Sequence, residues 1–130
     1  MPCVSDPGSF LVDFCLKYDI EYDVLPGSNA ILTAYASSGF SNTTFTFFGF
    51  LPHKGIQREK KLKEIINHDK IAILYESPHR IEKLLKELKQ YIPTRDVFFA
   101  KELTKMHQTF IKDKVENITL SNTKGEWVVV

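Results

Sequence analysis

The sequence predicts an α/β fold with a mixed sheet, in which helices and strands alternate along 130 residues. Three observations lead to this fold class. Apolar residues recur at helical spacing in several segments, short β-rich runs separate these segments, and Gly, Pro, Ser or Asn stands at most of the junctions. With 43% hydrophobic residues, the chain can also bury a core of its own.

The first half predicts two helices and two strands. The stretch "SFLVDFCLKYD" carries an apolar stripe at helical spacing, and "IEYDVL" alternates like a short strand. Pro26-Gly27 ends that strand, Ser28 or Asn29 can cap the next helix, and Gly39 can end it. The phenylalanine-rich run "SNTTFTFFGFLP" then predicts a strand closed by Pro52.

The second half continues the alternation. "QREKKLKEIINHD" predicts a basic amphipathic helix, followed by a strand "IAILY", a helix "RIEKLLKELKQYI" and a strand "DVFFA". After the loop "KELTK", short strands are predicted at "TFI", "ITL" and "EWVVV". In the turn before the second of these helices, Ser77 is expected as the N-cap and Pro78 as the first helical residue.

Charge is distributed unevenly although the net charge is only +1. Residues 1–53 hold one basic and five acidic side chains, whereas residues 54–105 hold thirteen and eight. This excess suggests an anionic partner. The alternative is a solvated helix face, because i,i+4 pairs such as Glu82 with Lys86 are common on helices. The basic cluster comprises Lys54, Arg58, Lys60, Lys61 and Lys63.

Several site classes find no support in the sequence. The four histidines are scattered and no HExxH or Cys/His cluster is present, so we expect no metal. No glycine-rich nucleotide loop and no nucleophile-base pair occurs. No apolar run of about 18 residues appears and the first residues do not resemble a signal peptide, so we expect a cytoplasmic protein without a membrane partner.

Four turns follow predicted strands or open the chain, and they carry the remaining candidate chemistry. In an α/β layout such turns can meet at one edge of the sheet, where ligands bind. Each taken singly is more often structural. The turns are Ser5-Asp6-Pro7-Gly8, Pro26-Gly27-Ser28-Asn29-Ala30, Glu76-Ser77-Pro78-His79-Arg80 and Lys101-Glu102-Leu103-Thr104-Lys105.

Taken in order, the motifs resemble one family closely. "SDPG", "VLPGSNA", "SSGF", "FFGFLP", "YESPHR", "AKELTK" and "KGEWVVV" are similar to the carboxyl-terminal two thirds of the ribosomal RNA small subunit methyltransferase I family, a branch of the tetrapyrrole methylases. The resemblance runs from Ser5 to Val130. "YESPHR" and "ELTK" at this spacing distinguish the ribosomal enzymes from their corrin and sirohaem relatives.

The resemblance implies two α/β domains with S-adenosylmethionine in the cleft between them. The motifs that precede "SDPG" in the family are absent, so we expect a carboxyl-terminal fragment that is inactive by itself. Residues 1–41 would be a remnant of the amino-terminal cofactor-side domain, and residues 42–130 the carboxyl-terminal domain. The implied partners are 16S ribosomal RNA in the small subunit and a second copy in a homodimer.

The implied reaction is methyl transfer to the ribose 2′-hydroxyl of a cytidine. Pro26, Gly27, Ser28 and Ala30 match the Pro-Gly turn expected at the cofactor. The basic cluster is expected to contact RNA phosphates. Glu76, His79, Arg80, Glu102 and Lys105 are expected at the substrate end of the cleft, with Glu76 preferred as the orienting base.

Two other functions remain open at this stage. The chain could be a noncatalytic RNA-binding or dimerisation domain, or a methylase of small tetrapyrroles. A structural alternative also remains for the signature turns, in which Glu76 caps helix amides and Arg80 pairs with Glu102 to brace two loops.

Overall fold

The computed structural model describes residues 1–130, which form four α-helices, five β-strands and one short 3-10 helix. The helices are α1 (Ser9–Lys17), α2 (Ala30–Ser38), α3 (Gly55–Ile66) and α4 (Ile81–Tyr91). The strands are β1 (Phe45–Phe50), β2 (Ile71–Glu76), β3 (Asp96–Lys101), β4 (Thr109–Lys114) and β5 (Trp127–Val129), and the 3-10 helix spans Val115–Asn117. None of the helices combines the length and apolarity needed to cross a membrane.

The five strands form one mixed sheet in the order β1-β2-β5-β3-β4. β1 and β2 are parallel, and every other neighbouring pair is antiparallel. Val128 of β5 lies opposite both Tyr75 of β2 and Ala100 of β3. The last strand of the chain therefore occupies the centre of the sheet, which confirms the predicted mixed α/β architecture.

The two faces of the sheet carry cores of different size. α3 and α4 cover one face, where Leu62, Leu84 and Phe99 belong to a cluster of 14 buried residues. α2 covers part of the other face, where Ile31 and Ala34 join a cluster of seven. Complete burial of a side chain such as Leu84 contributes about 1.5–3 kcal/mol, so the larger cluster dominates stability.

The first 29 residues pack less closely than the rest. α1 buries none of its residues, and Phe10 in it is 78% exposed. α2 is better anchored, because Asn29 Oδ1 accepts a hydrogen bond from the backbone N–H of Leu32 and Gly39 ends the helix with φ of 66°. The predicted cap and stop of this helix are confirmed. The division between residues 41 and 42 stays a prediction.

Three local predictions are wrong. Residues 20–25 form no strand, because no neighbouring strand is available for backbone hydrogen bonds with them. The "ITL" segment is not a strand either, since Ile118 ends the 3-10 helix and is buried in the larger core. Ser77 does not cap α4, whose first helical residue is Ile81; its Oγ instead accepts a hydrogen bond from Arg80 Nε at 3.1 Å.

Candidate functional site

Strand directions explain why the signature turns after β2 and β3 meet. β5 runs antiparallel to both β2 and β3, so these two strands point the same way, and β1 is parallel to β2. The carboxyl ends of β1, β2 and β3 therefore lie at one edge, where β5 begins. Open α/β sheets hold ligands beyond this edge.

One cavity of about 550 Å³ occupies this edge. All four turns singled out in the sequence contribute to its wall, so their predicted convergence is confirmed. From these turns, the lining residues are Ser5, Asp6, Ser28, Asn29, Ala30, Glu76, Ser77, Pro78, Leu103 and Thr104. The volume falls within the range of about 300–1,000 Å³ found for small-molecule sites.

Only part of the Pro-Gly turn lines this cavity. Ser28 and Ala30 line it, whereas Pro26 and Gly27 do not. A Cβ added at Gly27 would meet no atom within 4 Å, so the position is open rather than pressed against the site. The role of these four residues toward a cofactor stays a prediction, and Ser28 and Ala30 are the better-positioned pair.

Glu76 lines the cavity, but its carboxylate is fully engaged inside the protein. Oε1 accepts a hydrogen bond from the backbone N–H of Ser77 at 2.8 Å and lies 2.9 Å from Arg80 Nε. Oε2 lies 3.3 Å from Arg58 Nη1, and the Glu76 side chain is 0% exposed. A carboxylate held in this way cannot reach a substrate hydroxyl, so the geometry does not suit the orienting base that we expected. It suits a brace for the turn.

Arg58 requires a correction. It is 2% exposed and does not share the open surface of the neighbouring lysines. Its guanidinium binds both oxygens of Glu87 at 2.8–3.1 Å and the carbonyl oxygen of Pro52 at 3.0 Å. Although burial opposes its charge, the hydrogen bond to Glu87 and the nearby Glu76 keep the pKa of Arg58 raised. This side chain cannot contact RNA phosphate in this structure.

Arg80 also differs from the expected brace. It pairs with Glu76 rather than with Glu102, and its Nη1 donates to the carbonyl oxygen of Leu51 at 3.3 Å. Glu76 therefore lies between two guanidinium groups, and these groups fasten the "GFLP" segment to the turn after β2. His79 is exposed and makes no hydrogen bond, so nothing in its surroundings assigns it a chemical role.

Glu102 and Lys105 form a separate clip beside the cavity. Glu102 Oε1 accepts a hydrogen bond from the backbone N–H of Glu126 at 2.7 Å, and Lys105 Nζ bridges Glu126 Oε2 at 2.8 Å and Glu102 Oε1 at 3.3 Å. The Glu126 amide, together with Lys105, lowers the pKa of Glu102, and Glu126 and Glu102 raise the pKa of Lys105. The clip holds Leu103 and Thr104 at the cavity wall.

The four lysines of the basic cluster do not share one face. Lys60 and Lys61 line a groove of about 290 Å³ together with Gln57 and Glu64. Lys61 is bound to Glu64 at 3.0 Å, and Lys63 is bound to Glu59 at 2.6 Å. Lys54 and Lys60 form no ion pair and are the freest cations of the set. A phosphate role for the lysines stays a prediction.

Eight residues that line the cavity lie outside the four turns that the sequence singles out, among them Thr33, Phe50, Tyr75 and Glu126. Tyr75 is the clearest omission. It is the first residue of the "YESPHR" motif, but the sequence analysis assigns it only to a strand. Burial, with a contribution from Glu126, raises the pKa of the Tyr75 phenol. Tyr75 is the penultimate residue of β2 and comes directly before the turn residues of the motif. This position could have identified it as a residue of the cavity wall.

Comparison with known proteins gives a family match over most of the chain. The profile of the tetrapyrrole (corrin/porphyrin) methylases matches residues 1–119. In solved structures, the methyltransferase CobJ superposes with a TM-score of 0.70 at 23% identity, covering 99% of this chain and 60% of its own. The uroporphyrin-III C-methyltransferase of Thermus thermophilus, complexed with S-adenyl homocysteine, gives 0.61 at 14% identity, covering 98% and 61%. These two likenesses concern the fold alone.

Two relatives are more similar in sequence. The ribosomal RNA small subunit methyltransferase I of Helicobacter pylori (strain ATCC 700392 / 26695) is 43% identical over 140 residues, covering 100% of this chain and 49% of that protein. The Thermotoga maritima protein of the same name is 42% identical over 115 residues, covering 88% and 51%. The chain thus spans about half the length of the curated relatives it matches.

Proposed function

This chain belongs to the tetrapyrrole (corrin/porphyrin) methylase family, and on that premise we propose that it forms part of an S-adenosylmethionine-dependent ribosomal RNA methyltransferase. The proposed acceptor is the ribose 2′-hydroxyl of a cytidine in 16S ribosomal RNA of the small subunit. The names of its relatives support the RNA substrate. The motif resemblance supports the cytidine 2′-hydroxyl and the homodimer, and a substrate in the small ribosomal subunit would place the enzyme in the cytoplasm.

The observation that carries the proposal is the convergence of four signature turns on one cavity. A shared cavity is what a methylase needs to bring two reactants together. Positioning alone supplies a large part of the acceleration in such a reaction. Strand directions account for the shared edge, and what supports a site is that the turns border an open cavity of about 550 Å³ there.

The cavity residues fit S-adenosylmethionine by their chemistry. Ser28, Thr33 and Thr104 offer hydroxyl groups for polar parts of the cofactor, and Leu103 and Val128 offer apolar surface. Asp6 adds a carboxylate without an ion pair, which suits a positively charged ligand. When bound, the cofactor supplies a methyl group on a cationic sulfur, which is electrophilic toward oxygen.

The protein's own contribution is to hold the walls of the cavity in place. Glu76, fixed by Arg58 and Arg80, keeps the turn after β2 in its position. Lys105 does the same for Leu103 and Thr104 through Glu102 and Glu126. Because Glu76 is enclosed, no strong base is assigned to the reaction. Methyl transfer then depends on the electrophilic cofactor and on the positioning of the two reactants.

A chimaera tests the proposal. This chain would replace the matching half of the Helicobacter pylori relative, to which it is 43% identical. The purified chimaera would be incubated with unmethylated small ribosomal subunits and S-adenosylmethionine carrying a labelled methyl group. We expect label in 16S ribosomal RNA, recovered after digestion as 2′-O-methylcytidine in nucleoside mass spectrometry.

Other outcomes separate the alternatives. Label on a nucleobase would contradict the 2′-hydroxyl acceptor while leaving the RNA substrate in place. A folded chimaera that binds RNA without transferring methyl would favour the noncatalytic RNA-binding domain. Transfer to a corrin precursor and not to RNA would favour the small tetrapyrrole methylase.

A further inference from the structure

Phe50 is an exposed aromatic residue at the junction of two concave surfaces. It is the last residue of β1 and is 52% exposed. It lines the cavity at the sheet edge, and it also lines the neighbouring groove formed with Gln57, Lys60 and Lys61 of α3. Phe50 is the one residue that lines both surfaces.

A β-bulge determines the direction of this ring. Phe47 lies opposite Ile73 and Phe50 lies opposite Tyr75, so three steps along β1 match two steps along β2. Gly49, with φ of 68°, supplies the left-handed backbone inside the bulge. The extra residue shifts the alternation of side chains by one position.

The shift moves Phe50 to the other face of the sheet. Without it, Phe50 would share the face of Phe48, which packs against the large core under α3 and α4. With it, the ring joins the face of Phe47 and lies 5.4 Å from the Tyr75 ring, centroid to centroid. Bulges next to active sites commonly redirect a side chain in this way.

We propose that Phe50, backed by Tyr75, is a stacking platform for an unpaired base of the RNA substrate at the mouth of the cavity. The proposal rests on the proposed function and names how its RNA is held. Single-stranded nucleic acid is bound by aromatic faces that lie beside cationic side chains. Lys60 and Lys61 line the same groove as Phe50, and of the two only Lys60 forms no ion pair.

The adenine of the cofactor is a second aromatic group that could stack on Phe50. Two features favour the RNA base. Phe50 borders the groove as well as the cavity, so its ring is open to a strand that approaches along α3. The ring is also half exposed, whereas an adenine platform within a small-molecule site would be expected deep in the cavity.

The test measures RNA affinity by fluorescence anisotropy with this chain and a short fluorescein-labelled oligocytidylate. Phe50→Ala should weaken binding about 5- to 150-fold, the range seen when a stacking aromatic is removed. Phe50→Tyr should retain the affinity, and Phe50→Leu should lose most of it because only the π-face is missing. The Phe50→Tyr and Phe50→Leu variants keep the comparison valid if Phe50→Ala does not fold.

Two controls isolate stacking from other effects. Phe110→Ala is the same change at a 43% exposed phenylalanine of β4, the strand at the opposite edge of the sheet, and should leave binding unchanged. An abasic strand of equal length keeps the phosphates but lacks bases, so Phe50→Ala should not weaken its binding.

The outcomes distinguish this inference from the function beneath it. If the wild-type chain binds oligocytidylate and Phe50→Ala binds as well as Phe110→Ala, the platform is wrong and the RNA substrate stands. If Phe50→Ala instead weakens S-adenosylhomocysteine binding by the chimaera and leaves RNA affinity intact, the ring belongs to the cofactor and the inference is overturned. If the wild-type chain binds no oligocytidylate, the platform is overturned, whereas the proposed function is decided by methyl transfer in the chimaera.

Discussion

Arg58 and Glu76 are joined in the interior of the protein, with Nη1 and Oε2 3.3 Å apart and side chains that are 2% and 0% exposed. The pair links α3 to the end of β2, and Glu87 of α4 closes it from the other side. A buried pair of this kind is not strong evidence for stability by itself. Loss of one partner is costly, however, because the other charge then stays buried and unpaired.

The first prediction concerns Arg58. Arg58→Ala should lower the free energy of unfolding by about 3–5 kcal/mol, as expected for a broken buried ion pair. Arg58→Lys should also be destabilising, because a lysine cannot form the two-pronged contact with Glu87. Urea unfolding followed by circular dichroism measures both. Lys60→Ala, an exposed neighbour on α3, should change stability little, and equal values for Arg58→Ala and Lys60→Ala would contradict the buried network.

The second prediction concerns Gly125, which lies against the Glu102 side chain. A Cβ at Gly125 would lie 2.6 Å from Glu102 Cγ, and the backbone φ is 119°. Gly125→Ala should therefore destabilise the chain by about 1–3 kcal/mol. Gly27→Ala is the matched control, because its Cβ meets nothing within 4 Å and should cost no more than about 0.5 kcal/mol. In a Glu102→Ala background, Gly125→Ala should lower the free energy of unfolding by less than it does in the wild-type chain. The clash with the Glu102 side chain is then absent, whereas the backbone strain remains.

Local patterns predicted most elements from residue 45 onward, because each has a clear period and a turn residue at its ends. Which strands are neighbours in the sheet could not be predicted from local patterns. The alternating residues 20–25 lack a neighbouring strand, and the central position of β5 depends on contacts with β2 and β3 that sequence spacing does not encode. The meeting of the turns after β2 and β3 followed from the α/β class itself. The turns before α1 and α2 follow no strand of this sheet, so strand order does not explain their place at the same cavity.

Side-chain roles at the site were harder to predict, because charged residues are expected at the surface. Arg58 was grouped with the lysines for that reason. Its spacing from Leu62 and Ile65 places all three on one face of α3, and this signal could have identified it as buried. Ser77 looked like a helix cap because nothing in the sequence indicates that its hydroxyl is taken by Arg80.

The third prediction is a pH effect at Glu102. Its pKa is lowered in the folded state from an ordinary value of 4.5 by the backbone N–H of Glu126 and by Lys105. The stabilisation is therefore present above about pH 4.5 and is lost as the pH falls through the lowered folded value. Glu102→Gln should flatten the acid limb of the unfolding free energy. An acid limb in Glu102→Gln that is as steep as in the wild-type chain would contradict the clip.

The fourth prediction concerns the cofactor side of the cavity. Ala30 lines the cavity and Gly27 does not, although the motif resemblance assigns both to the cofactor. In the chimaera, Ala30→Leu should weaken S-adenosylhomocysteine binding in isothermal titration calorimetry by tenfold or more, about 1.4 kcal/mol, because it fills part of the site. Gly27→Val should have a smaller effect. A larger effect at Gly27 would place the cofactor outside this cavity.

The fifth prediction separates the lysines by their salt dependence in RNA binding. Each phosphate contact contributes about 0.7 to the slope of log affinity against log salt for a single strand. Lys54 and Lys60 have no competing carboxylate, whereas Lys61 and Lys63 are held by Glu64 and Glu59. The double change Lys54→Gln with Lys60→Gln should therefore lower the slope by more than the double change at Lys61 and Lys63. Lys17→Gln on α1 should leave it unchanged, since that helix lies outside the basic segment. A slope that is the same in all these variants would mean that the lysines of α3 form a solvated surface, and that RNA is held by other residues.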